Sequence, residues 1–214
     1  SSFTTYSISP NGVWVTGQMS MGCCDFGTFK YNTETNVLTE IFSPDYVAVA
    51  GYVITNDGTI GGWADDEGLG GGTRRIPVYI TPDLTIIQAS PELPQFNTNA
   101  VNDINASSLM VGDFDNQPFV YDLNTNTFTT FAIPSGYDNA TFTSVSNSGV
   151  AVGYAQKFGD FGDLLRDAIV YHPDLGDQPL FLRDILLLNG IDINAPNDRM
   201  GTAYAISPNG QYVA

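Results

Sequence analysis

Positive charge is scarce in this sequence. The 214 residues include 7 Lys or Arg against 23 Asp or Glu, which gives a formal net charge of −16. Nucleic-acid binding depends on a basic surface that neutralises phosphates, and an anionic bilayer repels an acidic protein. The composition therefore argues against nucleic acid and against anionic membrane surfaces as partners.

Long hydrophobic runs are missing as well. The longest, Val47–Ile54 and Ile185–Leu188, fall short of the roughly 18 residues that a transmembrane helix needs, so no membrane span is predicted. The N-terminus shows neither an initiator Met nor a signal-peptide pattern, which predicts a mature or trimmed chain. Hydrophobic residues still make up 43% of the sequence, which favours a folded domain with a core.

Cysteine and histidine are almost absent. Cys23 and Cys24 are adjacent, so they form two free thiols, a strained vicinal disulfide, or bridges to another chain. The one histidine, His172, precedes a Pro-Asp turn, and the chain has no Gly-x-Ser-x-Gly, phosphate-binding loop or dinucleotide fingerprint. The sequence therefore assigns no catalytic residue, and enzyme activity is not the expectation.

A short motif recurs five times along the chain. Each copy has an aliphatic residue, a small polar residue, a turn that usually ends in Gly, and then alternating apolar residues, a pattern typical of a β-hairpin. The aliphatic residues, called anchors below, are spaced by 46, 50, 41 and 61 residues. All five are predicted to be buried: Ile8, Ile54, Ile104, Val145 and Ile206.

A second motif follows each of the first four copies. It is a β-rich run with a tyrosine (Tyr31, Tyr79, Tyr121 or Tyr171), followed by a turn and another β-rich run. Each unit thus holds four short antiparallel strands, the size of a propeller blade. We predict an all-β, β-propeller-like array of four four-stranded blades plus a partial fifth. It forms one repeat domain with units of about 1–46, 47–96, 97–138, 139–202 and 203–214.

The last copy repeats the first but holds only one hairpin. Residues 204–214 match residues 6–16 at seven of eleven positions. An unpaired hairpin exposes backbone groups and an apolar face, which natural sheets avoid. We therefore predict that further repeats follow residue 214 or that a neighbouring chain completes the sheet.

Together the two motifs resemble the bacterial extracellular HAF-type repeat proteins. The resemblance rests on a hairpin of the form Ile-Ser-x-x-Gly-x-x-Val-Gly followed by an aromatic strand, and it covers almost the whole chain. The four strand tyrosines depart from the Trp that is frequent in the family. The resemblance implies a secreted or cell-surface, propeller-like β-protein and no catalytic residues.

One segment interrupts the repeat. Leu182, Ile185 and Leu186 are followed by Asn-Gly, which predicts a short helix near residues 179–189. The helix either covers the edge of the array or docks a partner.

Acidic residues cluster between the second and third strands of each unit. Asp113 and Asp115 point the same way if the segment is extended, and carboxylate oxygens suit Ca²⁺. Calcium is thus the one cofactor considered, with Asp65, Asp66, Asp113 and Asp115 as candidate ligands. The alternative is that these are solvated loop residues. A glycosidase pair is conceivable, but the sequence selects no two of the acids.

Aromatic residues lie near the hairpin ends. Trp63, Phe114 and Tyr154 are candidate ligand-binding residues, because such rings stack on sugars. The alternative is that they pack between neighbouring units.

These features favour a non-catalytic, extracellular or cell-surface β-repeat module for binding, adhesion or surface assembly. Its partner would be a polysaccharide or a protein at the cell surface. A carbohydrate-binding or carbohydrate-active propeller is one alternative. A self-assembling subunit of an extracellular polymer, joined through edge strands, is the other.

Overall fold

The structure is a computed structural model that describes residues 2–20, 26–66, 74–91, 99–159, 163–191 and 200–214. Within these ranges the chain is all-β and carries one short helix. Cys23 and Cys24 lie outside the described residues, so their three alternatives stay open.

Sixteen strands follow one another as four antiparallel meanders, and each meander lies within one of the predicted units. The first meander has β1 Ser2–Ile8, β2 Trp14–Ser20, β3 Phe26–Asn32 and β4 Val37–Ile41; the second has β5 Ala48–Ile54, β6 Ile60–Asp66, β7 Arg74–Ile80 and β8 Ile86–Gln88. The third has β9 Ala100–Ile104, β10 Leu109–Phe114, β11 Gln117–Asp122 and β12 Thr127–Thr130; the fourth has β13 Asn139–Val145, β14 Ala151–Phe158, β15 Leu164–Tyr171 and β16 Leu180–Phe181.

Three sheets result, and none of them is closed. The first two meanders share an eight-stranded sheet because a single parallel bridge joins Phe26 to Ala48. The third and fourth meanders each form a separate four-stranded sheet. The first strand of each later meander packs on the preceding one: β5 on β1 to β3, β9 on β5 to β7, and β13 on β9 to β11.

The same β-bulge occurs between the first and second strands of every meander. The pairing register skips one residue at each bulge: Tyr6, Tyr52, Asn102 and Thr143. Opposite it lies a glycine whose place no larger residue can take, because a Cβ there would sit 1.9–2.0 Å from a carbonyl oxygen. These bulge glycines are Gly17, Gly62, Gly112 and Gly153. Bulges re-aim side chains, so the four meanders point equivalent residues in equivalent directions.

Three of the bulge residues bind the following unit. The Tyr6 ring lies edge-on to Tyr52, with 5.4 Å between centroids. Asn102 Nδ2 donates to the Phe142 carbonyl at 2.9 Å, and Thr143 Oγ1 donates to the Ala203 carbonyl at 2.5 Å. The bulges therefore form part of the contact between neighbouring units.

The turn between the first and second strands of each unit is closed by one of its own side chains. A Ser, Thr or Asn oxygen at the start of the turn accepts a backbone N–H four or five residues later, as an Asx- or ST-type motif does. The accepting residues are Ser9, Thr55, Asn105, Ser146 and Ser207. Neighbouring turns are also linked: Asn11 N–H donates to Asn56 Oδ1 at 2.9 Å, and Asn147 N–H donates to the Pro208 carbonyl at 2.8 Å.

Four of the five anchors are buried, and one is not. Ile54 is 1% exposed, Val145 5%, and Ile104 and Ile206 8% each, and each packs against the preceding meander. Ile8 is 58% exposed, so the prediction that all five are buried is wrong at this position. The physical reason is that no described unit precedes β1, whereas a preceding unit covers each of the other four.

The third-strand tyrosines do not all share one register. In every meander one residue of the second strand pairs with the anchor on one side and with a third-strand residue on the other. That third-strand residue is a tyrosine in three meanders (Tyr31, Tyr121 and Tyr171) and Ile80 in the second. Tyr79 is thus displaced by one residue from its predicted equivalents and points to the other side of its strand. Tyr121 is buried, and Tyr31 and Tyr171 are half-buried, as expected.

A terminal hairpin, residues 203–214, follows the fourth meander, as the sequence predicts. Ile206 bridges Val213, and Ser207 N–H donates to the Tyr212 carbonyl at 2.8 Å. Ala203 and Ile206 pack with Val150 and Val152 of the fourth meander. The hairpin therefore occupies the position that the first two strands of a fifth unit would take.

The predicted helix is α1, Leu182–Leu188, which is shorter than the 179–189 predicted because residues 180 and 181 form β16. Its C-terminus is a Schellman motif: Gly190 has φ 76°, and Ile191 N–H donates to the Leu186 carbonyl at 2.9 Å. Leu182 and Ile185 pack on the fourth meander beside the terminal hairpin. Nowhere in the described part of the chain is a helix both long and apolar enough to cross a bilayer.

Candidate functional site

The residue that follows each bulge glycine is the starting point of the site. These residues are Gln18, Trp63, Asp113 and Tyr154, one from each meander. In the first two meanders the bulge residue binds this position: Tyr6 Oη donates to Gln18 Oε1 at 3.2 Å, and Trp63 Nε1 donates to Tyr52 Oη at 2.8 Å. We call it the post-bulge position.

A polar cleft of about 210 Å³ opens between the third and fourth meanders. Two post-bulge residues, Asp113 from β10 and Tyr154 from β14, line it together with Arg166 from β15. Its other walls carry mostly amides and a hydroxyl: Asn116, Asn139, Ala140, Thr141 and Gln156. The cleft thus combines one carboxyl, one guanidinium, one aromatic ring and several neutral hydrogen-bonding groups.

Asp113 has the most altered acidity among these residues. Burial raises the pKa of its carboxyl from 3.8 to about 7, because a charged carboxylate loses solvation in the cleft wall. Hydrogen bonds from Thr141 and Asn102 and the positive charge of Arg75 oppose the rise in pKa. Thr141 Oγ1 donates to Asp113 Oδ1 at 3.2 Å. The carboxyl is therefore held in a fixed place.

Arg166 is fixed against Tyr154. Its guanidinium carbon lies 4.3 Å from the Tyr154 ring centroid, and its Nε donates to Gln156 Oε1 at 2.9 Å. Burial raises the pKa of the Tyr154 phenol, an effect that the charge of Arg166 opposes and that of Asp113 reinforces. A guanidinium stacked on a ring and held by an amide is a preorganised donor.

The second meander repeats the pairing of an arginine with the ring at the post-bulge position. Arg75 lies 4.3 Å from the Trp63 ring centroid, and its Nε is 3.9 Å from Asp65 Oδ1. The strand register makes Arg75 equivalent to Arg166, and Asp65 equivalent to Gln156. Trp63, however, is only 5% exposed and packs with three alanines of the second and third meanders: Ala48, Ala50 and Ala100.

The three predicted ring residues therefore have different surroundings. Tyr154 lines the cleft. Trp63 is packed between meanders, which is the alternative that the sequence left open. Phe114 is the neighbour of Asp113 along β10 and so faces the other side of the strand, where its ring lies edge-on to Phe128 at 5.5 Å.

The strand geometry does not give the predicted calcium ligands Asp113 and Asp115 the shared direction that the sequence predicts. Asp115 lies in the tight turn between β10 and β11, with φ 50°, and Asn116 beside it has φ 66°. The extended segment that would point Asp113 and Asp115 the same way is therefore absent. Asp65 faces Arg75, and the side chain of Asp66 is outside the described residues.

Across the described residues no three acidic, histidine or cysteine side chains form a group that could hold a metal ion. Calcium binding stays a prediction. His172 lies in the turn after β15, where its Nδ1 accepts the Asp174 N–H at 3.1 Å.

The sequence did not single out five polar residues of the cleft: Asn116, Asn139, Thr141, Gln156 and Arg166. A usable signal existed for the arginines: Arg75 lies five residues before Ile80, and Arg166 five before Tyr171, the equivalent residue. When the units are aligned on Tyr79 instead of Ile80, the second unit is shifted by one residue and Arg75 no longer matches Arg166. No protein-family model and no curated protein gives a significant match to this chain.

Proposed function

We propose that the chain is a non-catalytic β-repeat binding module, and that the cleft between its third and fourth meanders takes a hydroxyl-rich ligand such as a sugar unit of a polysaccharide. The observation that carries the proposal is the cleft lining. A fixed carboxyl and a fixed guanidinium flank a half-buried tyrosine, and neutral amides surround them. Sugars present many hydroxyl groups that both donate and accept, together with an apolar face that rests on a ring.

The architecture proposed for this module is propeller-like, with each meander as a blade. Its support is that the first strand of each later meander packs on the first three strands of the one before it. The recurring bulge and the recurring turn motif also favour a regular array. From the repeated motifs alone, we propose that the chain belongs to the HAF-type repeat proteins and that it is secreted or lies at the cell surface.

Binding is favoured over hydrolysis by the make-up of the cleft. Glycosidases generally use two carboxyl groups on opposite sides of the scissile bond. Of the described residues that line the cleft, Asp113 is the one carboxylic acid. Its fixed position suits a hydrogen-bond acceptor for ligand hydroxyls, and Arg166 and the amides supply the donors.

The test is a glycan-array screen followed by titration calorimetry with the best ligand. In titrations above the Asp113 pKa of about 7, where the carboxylate is ionised, Asp113→Ala is expected to weaken binding at least about 10-fold, because hydrogen bonds to charged groups are among the strong ones. Tyr154→Ala is expected to act in the same direction, and Tyr154→Phe to act less. Asp115→Ala, in the adjacent turn, is the matched control and is expected to leave affinity unchanged.

Each variant is checked by circular dichroism and thermal unfolding before titration. The proposal fails if no sugar on the array binds, or if a bound sugar is indifferent to Asp113→Ala while the variant is folded. A sugar that binds but is also cleaved would replace binding with hydrolysis as the function of the cleft.

A further inference from the structure

The repeated contact between units has a characteristic pair at its centre. In three of four junctions an anchor packs in the same apolar cluster as a side chain from the end of the preceding hairpin turn: Ile54 with Trp14, Val145 with Leu109, and Ile206 with Val150. At the remaining junction, Ile104 and Thr59 line a common pocket. The same two positions thus share an apolar cluster at three junctions and border a common pocket at the fourth.

Each end of the array carries one half of this pair without its partner half. Ile8 on β1 is an anchor that no described unit covers, and it is 58% exposed. Tyr212 of the terminal hairpin is equivalent to Trp14 by the match of residues 204–214 with 6–16, and it is 72% exposed. Phe3 at the first end and Tyr204 at the other are also more than 40% exposed.

Charge is depleted at both ends in a chain that is otherwise strongly acidic. Residues 1–20 contain no Asp, Glu, Lys or Arg, and neither do residues 200–214, although the whole chain carries a net charge of −16. The cores of protein interfaces are depleted of charged residues and enriched in aromatic ones. This composition is a second observation, separate from exposure, and it marks the same two surfaces.

We propose that two copies of this chain associate head to tail, with Ile8 and the β1 face of one copy seated on Tyr212 and the terminal hairpin of the other. The contact would be a further junction of the kind that already joins the meanders within the chain. Such an interface is heterologous, so each dimer still carries one free surface of each type and the assembly extends as a filament or closes as a ring. This inference goes beyond the proposed sugar binding and does not depend on it.

Mutual repulsion opposes the association, because every copy carries the same net charge of −16. Salt screens charges that are separated by more than about 10 Å at 0.1 M, whereas an apolar contact is not weakened by it. Assembly is therefore expected to strengthen as NaCl is raised.

The experiment measures the mass of the 214-residue chain in solution by analytical ultracentrifugation, from micromolar to millimolar concentration and at low and high NaCl. The average mass is expected to rise with concentration beyond twice that of the monomer. Ile8→Asp and Tyr212→Asp each remove one half of the contact, so each variant alone is expected to remain monomeric. Leu175→Asp is the matched control, because Leu175 is as exposed as Ile8, at 58%, and lies outside both surfaces.

Mixing the two variants provides the decisive measurement. Ile8→Asp retains an intact Tyr212, and Tyr212→Asp retains an intact Ile8, so an equimolar mixture is expected to form dimers and nothing larger. The proposal is overturned if the unmodified chain stays monomeric under all conditions. It is equally overturned if Tyr212→Asp assembles as the unmodified chain does, because two β1 faces would then pair symmetrically. Both variants change exposed residues, and circular dichroism checks that they fold.

Discussion

The second and fourth meanders hold the same arginine–aromatic pair in the same backbone frame, yet one ring is buried and the other borders a cleft. Trp63 fills the space between the second and third meanders, where Ala100 and two further alanines pack against the indole, while the Arg75 side chain beside it is 42% exposed. Tyr154 with Arg166 meets Asp113 and neutral polar groups, which leave room between the sheets. The repeat therefore supplies the scaffold, and the size and polarity of the neighbouring side chains determine whether a junction is packed or open.

The largest expected effect concerns the bulge glycine, which the second and fourth meanders share. Gly62→Ala and Gly153→Ala would each place a Cβ about 2 Å from a backbone carbonyl oxygen, at 1.9 and 2.0 Å respectively. Because backbone on both sides must move, each substitution is expected to cost about 4 kcal/mol or more. Urea unfolding measures this, with Gly201→Ala, where a Cβ meets nothing within 4 Å and the backbone is not in the left-handed region, as a control for the residue type. Similar losses at Gly62 and Gly153 would support an identical frame, and a tolerated Gly153→Ala would contradict it.

Removing the rings is expected to separate the two junctions. Trp63→Ala deletes a side chain that is 5% exposed, and a loss of about 3–5 kcal/mol is expected from lost burial and the remaining cavity. Tyr154→Ala opens a side chain that already borders a cleft, and roughly 1–2 kcal/mol is expected there. The free energies of unfolding measured in urea decide the point. Equal losses would mean that the cleft is no more open than the packed junction.

Asp113 at the open junction is expected to make the largest contribution to the pH dependence of stability, and Asp103, whose pKa is also raised by burial, contributes in the same direction. Asp113 has a pKa of about 7 when folded against an ordinary 3.8, so between these values the folded chain binds more protons than the unfolded chain. Stability therefore falls as pH rises from about 4 to about 7 and then levels. The full shift corresponds to at most about 4 kcal/mol, and roughly half is expected because the carboxyl borders an open cleft.

Asp113→Asn tests this directly, since the amide cannot ionise. The variant is expected to lose most of the fall in melting temperature between pH 4 and 7. Asp115→Asn, in the adjacent turn, is the control and should follow the unmodified chain. An unchanged profile for Asp113→Asn would show that Asp113 does not produce the dependence.

The smallest expected effect is the coupling energy between each arginine and the ring that it stacks on. A double-mutant cycle of Trp63→Leu with Arg75→Gln is expected to give a coupling of about 1–2 kcal/mol, because the buried ring removes water from the contact. The cycle of Tyr154→Leu with Arg166→Gln is expected to give about 0.5–1 kcal/mol at the open junction. A larger coupling at Tyr154 would reverse the order that burial predicts.

The all-β fold was predictable from the sequence because it depends on local chemistry. Turn residues and alternating apolar residues repeat at fixed places, and the strands follow them. The exposure of Ile8 was not predictable from its motif, which is identical to that of the buried Ile206 through most of its length. Burial at this position is decided by the neighbouring unit and not by the residue.

The candidate site was predictable only in part, for a related reason. Asp113 and Tyr154 were singled out by residue type, and the structure brings them into one cleft. The roles assigned to Trp63 and Phe114 assumed that aromatic residues near hairpin ends are equivalent, but one follows a bulge glycine directly and the other lies one residue further along. Neighbouring residues of a strand face opposite sides, so this difference of one residue places the two rings on different faces of their sheets.

The hydrogen bonds between adjacent hairpin turns connect each unit to the next one along the chain. Asn147 Oδ1 accepts a hydrogen bond from Ala106 N–H of the third meander at 3.2 Å. Its own N–H donates to the Pro208 carbonyl of the terminal hairpin at 2.8 Å. When each unit adheres to its neighbours alone, opening begins at a bare end and travels inward one unit at a time. Backbone amides of the first meander are then the first to exchange with deuterated solvent, and those of the third are among the last.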